Sequence, residues 1–234
     1  MAENEKKIKI MKNGPYMVTG SLPLGKDIEV IGSDGEPEKW EKGQTFPLKQ
    51  GYALCRCGKS AAKPFCDGSH IQAGFNGTET AQRKNFADIA EKNIGPGMDL
   101  HDAECFCSIA MFCHRAGDAW TLAEKSDDPT SKKIAIEEAC NCPSGRLVAY
   151  DKQTGKPIEP AFEPSIGLVE DTKKNVSGPL WIKGGVPVES SDGFCYEVRN
   201  RMTLCRCGNS AKKPFCDGSH IDTKFNDGHT FKEK

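Results

Sequence analysis

Two groups of cysteine and histidine residues share one spacing, C-x-C-x8-C-x3-H, which is a pattern that can bind metal. The two groups, which we call cradle 1 and cradle 2, are Cys55, Cys57, Cys66 and His70, and Cys205, Cys207, Cys216 and His220. In each cradle, two thiols two residues apart can bind one iron of a 2Fe-2S rhomb, while the later cysteine and the histidine bind the other iron. The spacing therefore predicts two 2Fe-2S clusters.

A single structural zinc ion is the alternative for each cradle, because zinc also accepts three thiolates and one imidazole. Zinc sites usually place two to four residues between paired cysteines, whereas C-x-C would form a strained chelate on one ion. The spacing therefore favours a cluster over zinc.

The histidine ligand has two chemical consequences. An oxidised 2Fe-2S core carries two positive charges, so three thiolates and a neutral imidazole leave one negative charge fewer than four thiolates would. We therefore expect a reduction potential above that of clusters bound by cysteine alone. Protonation of His70 or His220 would also compete with its bond to iron, which links cluster stability to pH.

The cradles belong to a repeated module. Residues 55–70 recur as residues 205–220 with only two differences, Lys59 against Asn209 and Ala62 against Lys212. Upstream, residues 14–24 match residues 178–188, and both segments have the composition of short strands. The upstream segments are 164 residues apart and the cradles 150, so the first copy holds 14 extra residues, which we place mainly in the polar segment 34–44.

Both cradles resemble the CDGSH iron-sulfur domain of the mitoNEET (NEET) family, through the C-x-C pair, Ser60, Pro64 and the run Cys66-Asp67-Gly68-Ser69-His70. The resemblance implies that the eight cradle residues are the ligands of two 2Fe-2S clusters. Members of that family are homodimers with one cluster per protomer beneath a shared β-cap. A tandem chain of this type would be an internal version of that dimer, differing in its long insert and in having no membrane anchor.

The predicted fold class is α+β: two β-rich CDGSH modules packed as an intramolecular pseudo-dimer with a shared β-cap, plus a small, mainly helical central insert. We divide the chain into a first module (1–78), the insert (79–171) and a second module (172–234). In the insert, apolar spacing predicts a short helix over 86–94, a second helix from Asp102 to Gly117 and a third from Asp128 to about Cys140. Strands are expected at 147–150 and 166–169.

Five further cysteines lie in the insert: Cys105, Cys107, Cys113, Cys140 and Cys142. The run Cys142-Pro143-Ser144-Gly145, together with Cys107 and Cys113, weakly resembles a divergent ferredoxin-like domain. If residues 105–116 were helical, however, Cys107 and Cys113 would point about 120° apart around the axis. We therefore favour small buried residues over a further cluster. Cys195 is expected to be structural, and His101 and His229 to lie on the surface.

Composition limits the remaining possibilities. The net charge is −1 and no basic stripe is present, which argues against a nucleic-acid partner. The longest apolar stretch, residues 105–113, is too short for a membrane span. The first residues have no apolar signal, so we expect a cytoplasmic protein.

The favoured function is a one-electron redox carrier that is not an enzyme by itself, because no nucleophile, acid–base pair or nucleotide fingerprint is evident. Its partner would be a redox protein. The alternative is storage or transfer of clusters to an apo-acceptor protein. Arg56, Arg206, Lys63 and Lys213 are expected on a solvated face, and the chain is expected to be a monomer with internal pseudo-two-fold symmetry.

Overall fold

The computed structural model describes residues 5–228 and has the predicted α+β class, with more strand than helix. The described strands are β1 (Lys7–Ile10), β2 (Tyr16–Thr19), β3 (Leu24–Ile31), β4 (Pro37–Thr45), β5 (Gly51–Leu54), β6 (Glu91–Ile94), β7 (Met98–Asp102), β8 (Leu147–Asp151), β9 (Pro157–Ile158), β10 (Ser165–Asp171), β11 (Val176–Lys183), β12 (Val188–Glu189) and β13 (Arg201–Leu204). The described helices are α1 (Ser69–Gln72), α2 (Phe86–Ile89), α3 (Ala119–Glu124), α4 (Pro129–Asn141) and α5 (Ser219–Asp222).

Two of the sheets are built by exchange of strands between the repeated modules. One sheet has the order β12-β1-β2-β5 and the other β13-β11-β10-β3-β4. In the first sheet β12 pairs parallel to β1, and in the second β3 pairs parallel to β10. Strand β12 therefore extends the sheet that contains β1, and β3 extends the sheet that contains β10 and β11, in the reciprocal way that a pseudo-two-fold relation requires. This exchange is the shared β-cap expected from the sequence.

The residue pattern explains why these strands form. In β1 and β2 the residues Ile8, Ile10, Tyr16 and Val18 are fully buried and alternate with exposed neighbours, which is the period of a strand with one solvated face. Every residue of β11 is buried, because this strand lies inside its sheet and is covered on both faces. The strands predicted from the upstream repeat are thus confirmed.

A buried ion pair crosses the second sheet. Asp27 of β3 contacts the Lys183 ammonium of β11 at 2.5 Å, and both side chains are almost fully buried. Gly167 of β10 lies between them, and a Cβ atom there would overlap the Asp27 carboxylate. Burial lowers the pKa of Lys183 to about 8, while the adjacent Asp27 carboxylate opposes that shift. The absence of a side chain at Gly167 therefore lets the Asp27 carboxylate of β3 reach across β10 to Lys183 of β11.

The insert contains more sheet than expected. Strands β6 to β9 form an antiparallel sheet in chain order. Helices α3 and α4 pack on this sheet around Met98, Leu100 and Leu147. Helix α4 is confirmed: Asp128 caps it by accepting a hydrogen bond from the Ser131 amide at 2.8 Å, and Pro129 begins it. The strands expected at 147–150 and 166–169 are β8 and β10.

Two helix predictions in the insert are corrected. The first helix ends at Ile89, because residues 91–94 pair with β7 instead. The second does not form: residues 104–114 contain only two 3-10 turns, Glu104–Phe106 and Phe112–His114. Isolated helices this short are marginal, so tertiary contacts decide. Phe106 packs against Phe215 of the second module and Phe112 against Trp40 of the first, and these anchors hold the segment in an irregular path.

The extra residues of the first module are largely strand β4, which pairs with β3 in a hairpin. Trp40 of β4 stacks on Phe112 with ring centroids 4.6 Å apart, and its indole N–H donates to the Asn141 carbonyl at 2.9 Å. The amide of Asn141 in turn donates to the Glu38 carbonyl at 3.1 Å. The additional hairpin thus fastens the insert to the rest of the protein. Among residues 5–228, no helix is long and apolar enough to cross a bilayer.

The reciprocal exchange of β3 and β12 predicts the state of assembly. Because one chain supplies both exchanged strands, neither sheet needs a second chain to be completed. We expect light scattering to give the mass of one chain, 25.5 kDa. An obligate dimer whose dissociation unfolds the β-cap would contradict this expectation.

Candidate metal centres

Cradle 1 lies at the end of β5 and presents its four predicted ligands as two pairs. The Sγ atoms of Cys55 and Cys57 are 3.8 Å apart. The Sγ atom of Cys66 is 3.5 Å from Nδ1 of His70. The Cys66 amide donates to the Ala53 carbonyl at 2.9 Å, which holds the loop against β5. These two pairs are the ones into which the sequence analysis grouped the predicted ligands.

Cradle 2 repeats this geometry at the end of β13. The Sγ atoms of Cys205 and Cys207 are 3.7 Å apart, and Cys216 Sγ lies 3.4 Å from His220 Nδ1. The Cys216 amide donates to the Thr203 carbonyl at 3.0 Å, which matches the contact in cradle 1. The two sequence repeats therefore give two equivalent local structures.

The donor arrangement fits a two-iron cluster better than a single ion. Within residues 5–228, no three histidine, cysteine, aspartate or glutamate side chains converge as ligands of one metal ion. A 2Fe-2S cluster instead needs one pair of donors at each iron, and thiolate and imidazole are donors that such clusters accept. Both cradles supply those donors in those pairs, so the residues present fit the cluster.

The turn that carries the histidine is set by Asp67. Its Oδ1 accepts hydrogen bonds from the Ser69 amide and hydroxyl at 3.0 and 2.7 Å, and its Oδ2 accepts one from the Ala61 amide at 2.8 Å. Hydrogen bonds from Ser69 lower the pKa of Asp67 well below its usual value. Gly68, at φ 89°, is the N-cap of α1, and His70 lies in the first turn of that helix.

Backbone amides and neighbouring thiols stabilise negative charge at the sulfur atoms. The Lys59 amide donates to Cys57 Sγ at 3.4 Å in cradle 1. In cradle 2, the hydrogen bond from Cys207, with further help from the amides of Ser210 and Gly208, lowers the pKa of Cys205. These contacts favour the thiolate form of Cys205, which is the form that binds iron.

The two arginines between the paired cysteines are buried, so the expectation of a solvated face is wrong for them. Arg56 and Arg206 are 1% and 3% exposed. Their Nε atoms donate to the carbonyls of Gly14 and Gly178 at 2.8 and 2.6 Å, the equivalent residues of the two upstream segments. Lys63 is half-buried and donates to the Ser60 carbonyl at 2.7 Å. These cations therefore hold each cradle to its own module.

The cradles meet at the pseudo-two-fold axis through their glycines. A Cβ atom on Gly58 would lie 2.4 Å from the Cys207 carbonyl oxygen, and one on Gly208 would lie 2.5 Å from that of Cys57. Both glycines also have positive φ angles, of 72° and 85°. Tyr16 adds a contact across the axis, because its hydroxyl donates to the Cys205 carbonyl at 2.7 Å. The two ligand loops are therefore in direct backbone contact.

The thiols of Cys107 and Cys142 lie near that of Cys113 in the insert, although the three do not converge as ligands of one metal ion. Burial, together with the nearby thiols of Cys142 and Cys107, raises the pKa of Cys113 to about 12. The objection that a helix separates Cys107 from Cys113 no longer holds, because the segment is not helical. The other two cysteines bond elsewhere: Cys105 accepts from the Gln82 amide at 3.0 Å, and Cys140 lies 3.6 Å from the Ile158 carbonyl.

Two minor expectations concern single residues. Cys195, expected to be structural, is exposed and forms an isolated β-bridge with Glu189. His101 is half-buried and stacks on Tyr150 with ring centroids 4.0 Å apart. His229 lies outside the described residues.

Comparison with known families agrees with the geometry. The family described as an iron-binding zinc finger of CDGSH type matches residues 13–71 and 177–221. The family described as a divergent 4Fe-4S mono-cluster matches residues 94–152, between those two segments. No curated protein and no solved structure matches the chain. The tandem modules expected from the motifs are therefore confirmed. The match of the insert to a 4Fe-4S family argues against the expectation that its cysteines are only small buried residues.

The contact between the cradles predicts a large difference between two glycine substitutions. Gly58→Ala places a methyl group against the Cys207 backbone, whereas Gly35→Ala, at φ 80° with nothing within 4 Å, carries only the backbone strain. We expect Gly35→Ala to cost about 1 kcal/mol of stability and Gly58→Ala at least about 2 kcal/mol more. Thermal unfolding monitored by circular dichroism checks this. Equal melting temperatures for the two variants would mean that the cradles do not touch.

Proposed function

We propose that this chain, a tandem CDGSH-type iron-sulfur protein with a divergent 4Fe-4S segment between its modules, is a one-electron redox carrier. Each cradle would hold one 2Fe-2S cluster, with Cys55, Cys57, Cys66 and His70 as ligands in the first and Cys205, Cys207, Cys216 and His220 in the second. The observation that carries the proposal is the pairing of four donors in each cradle, at Sγ–Sγ distances of 3.8 and 3.7 Å and Sγ–Nδ1 distances of 3.5 and 3.4 Å.

The contact between cradles supports an electron-transfer role. Cys57 and Cys207 are both proposed ligands. Gly58, which follows Cys57, lies against the Cys207 backbone, and Gly208, which follows Cys207, lies against the Cys57 backbone. Clusters bound by these residues would lie on either side of this backbone contact. An electron entering at one cluster would therefore have a short path to the other within a single chain.

The histidine of cradle 2 is arranged to bind iron as a neutral imidazole. Burial lowers the pKa of His220 to about 4, so this side chain is uncharged at neutral pH and its Nδ1 faces the Cys216 thiol. A neutral ligand leaves the cluster less negative than a fourth thiolate would, which favours its reduction. The cluster supplies one-electron chemistry, while the protein sets its charge and its surroundings.

The insert supports a third iron-sulfur centre as part of the same proposal. Cys107, Cys113 and Cys142 lie close enough to raise the pKa of the Cys113 thiol, and the matching family is described as binding one 4Fe-4S cluster. The Cys107 thiol also acts on Cys216, because it contributes to the raised pKa of that residue. A centre in the insert would therefore lie beside cradle 2.

Cluster transfer to an apo-acceptor protein is the second candidate function. Partial exposure favours it in cradle 1, where both Cys66 and His70 are half-buried rather than enclosed. From the sequence, we still propose a carrier. It would be monomeric, located in the cytoplasm and without catalytic activity of its own. Retention of the clusters through repeated reduction and reoxidation would favour the carrier, and loss to an apo-ferredoxin would favour transfer.

Metal and sulfide analysis tests the number and kind of clusters. We expect about four iron and four acid-labile sulfide atoms per chain from the two cradles, and about four more of each if the insert holds a 4Fe-4S cluster. The variant Cys142→Ser should then lose only the additional iron and sulfide. Stoichiometric zinc without sulfide would overturn the proposal.

Replacement of the histidines tests the ligand assignment. We expect His70→Cys and His220→Cys each to keep a cluster but to lower the reduction potential of that cluster by on the order of 100 mV, because a thiolate adds a negative charge. Redox titration followed by visible absorption measures this. His101→Cys is the matched control, since His101 stacks on Tyr150 away from both cradles and its replacement should leave both potentials unchanged.

A further inference from the structure

The two cradles have the same sequence but different surroundings. In cradle 2, Cys216 is 2% and His220 is 3% exposed, whereas the equivalent Cys66 and His70 are both half-buried. The next residue shows the same contrast, because Ile71 is 76% exposed whereas Ile221 is half-buried. Since the motifs match, the difference arises from what packs on them.

Residues 107–111 of the insert, which we call the cover loop, form that packing. A Cβ atom on Gly218 would lie 2.2 Å from Cδ1 of Ile109, so the Ile109 side chain rests directly on the turn of cradle 2. At the equivalent Gly68 of cradle 1, nothing lies within 4 Å. Ser108 and Ala110 of the same loop line a small cavity that also includes His220.

The cover loop is held in place against an unfavourable backbone conformation. Ile109 and Met111 have φ angles of 59° and 62°, which β-branched and bulky residues rarely adopt because their side chains then crowd the backbone. Two contacts hold the loop: Lys174 donates to the Ile109 carbonyl at 3.3 Å, and Phe112, just after the loop, stacks on Trp40 of β4. Trp40 belongs to the additional hairpin of the first module. The insert and the hairpin, the two features that break the symmetry of the chain, therefore act on the same cradle.

We propose that the two cradles have different roles: cradle 1 is the site at which solvent reagents and partner proteins reach a cluster, and cradle 2 is closed by the cover loop and retains its cluster. This inference rests on the proposed binding of a cluster in each cradle. It assigns Ile109 as the residue that shields cradle 2. It also orders the centres, with the insert beside cradle 2 and cradle 1 at the open end.

Removal of iron by EDTA under anaerobic conditions tests this assignment. EDTA binds ferric iron and sulfide is released, so no electron donor is needed, and the loss of visible absorption reports the rate. The background variant Cys142→Ser removes any contribution from the insert. We expect two phases of equal amplitude, the slow phase at least about tenfold slower, because the cover loop must open before the chelator reaches cradle 2.

Single-cradle variants assign the phases. Cys66→Ser should leave only the slow phase, and Cys216→Ser only the fast phase. Ile109→Gly removes the shielding side chain and relieves the positive φ angle, so it should bring the slow phase to within about threefold of the fast one. Ile109→Ala gives a second test that keeps the backbone strain. Ile71→Ala is the matched control beside cradle 1, and it should change neither phase by more than about twofold, because Ile71 covers nothing.

The outcomes separate this inference from the proposed function. Iron and sulfide content before EDTA is added shows whether both cradles hold clusters, independently of any rate. Equal rates in the two single-cradle variants, faster loss from cradle 2, or an unchanged slow phase in both Ile109→Gly and Ile109→Ala would overturn the assignment of the roles while leaving the clusters established.

Discussion

The parallel pairing of β12 with β1 and of β3 with β10, strands distant in sequence, is the interaction on which the rest of the structure depends. Through β12 on β1 and β3 on β10, neither sheet is complete without residues from both ends of the chain. The exchange sets the pseudo-two-fold axis, and the axis brings the two ligand loops into contact at Gly58 and Gly208. Local features of each cradle come from its own sixteen residues, but their closeness comes from the exchanged strands. The buried Asp27–Lys183 pair links the two modules directly, because the Asp27 carboxylate of β3 is neutralised by Lys183 of β11 as well as by Lys42 of its own hairpin.

Symmetry in the repeats is broken by two additions that meet in space. The hairpin of β4 enlarges the first module, and the insert separates the modules along the chain, yet Trp40 and Phe112 bring these additions together. They cover cradle 2 and leave cradle 1 open. A duplicated module begins with two identical sites, and a loop placed over one of them is a simple way to make the pair unequal without changing any ligand. The physical difference is burial, which affects both access to a site and the polarity around a charged cluster.

Several errors of interpretation share one cause. Phe106, Ile109, Ala110 and Cys113 have helical spacing, but the helix does not form. Phe106 packs on Phe215 of the second module, whereas Phe112 packs on Trp40 of the first. Arg56 and Arg206 are of a residue type that is usually exposed, but in the interior they donate hydrogen bonds to carbonyls of the upstream segments. The same predicted helix was the reason for expecting no cluster at Cys107 and Cys113 of the insert. In each case the local pattern was weaker than a contact made by residues distant in sequence.

The sequence by itself determined the ligand spacing, the duplication of the module, the α+β class and the strands and helix cap with strong local signals. These are short-range properties: a C-x-C turn, an alternating strand or an Asp-Pro cap depends on neighbours within a few residues. Only the tertiary structure decided that β10 joins the exchanged sheet, that the cradles touch through their glycines, and that the cover loop lies on one cradle and not on the other. Identical motifs cannot reveal unequal surroundings, because Ser108 and Ala110, which help to enclose His220, come from the insert, about a hundred positions away along the chain.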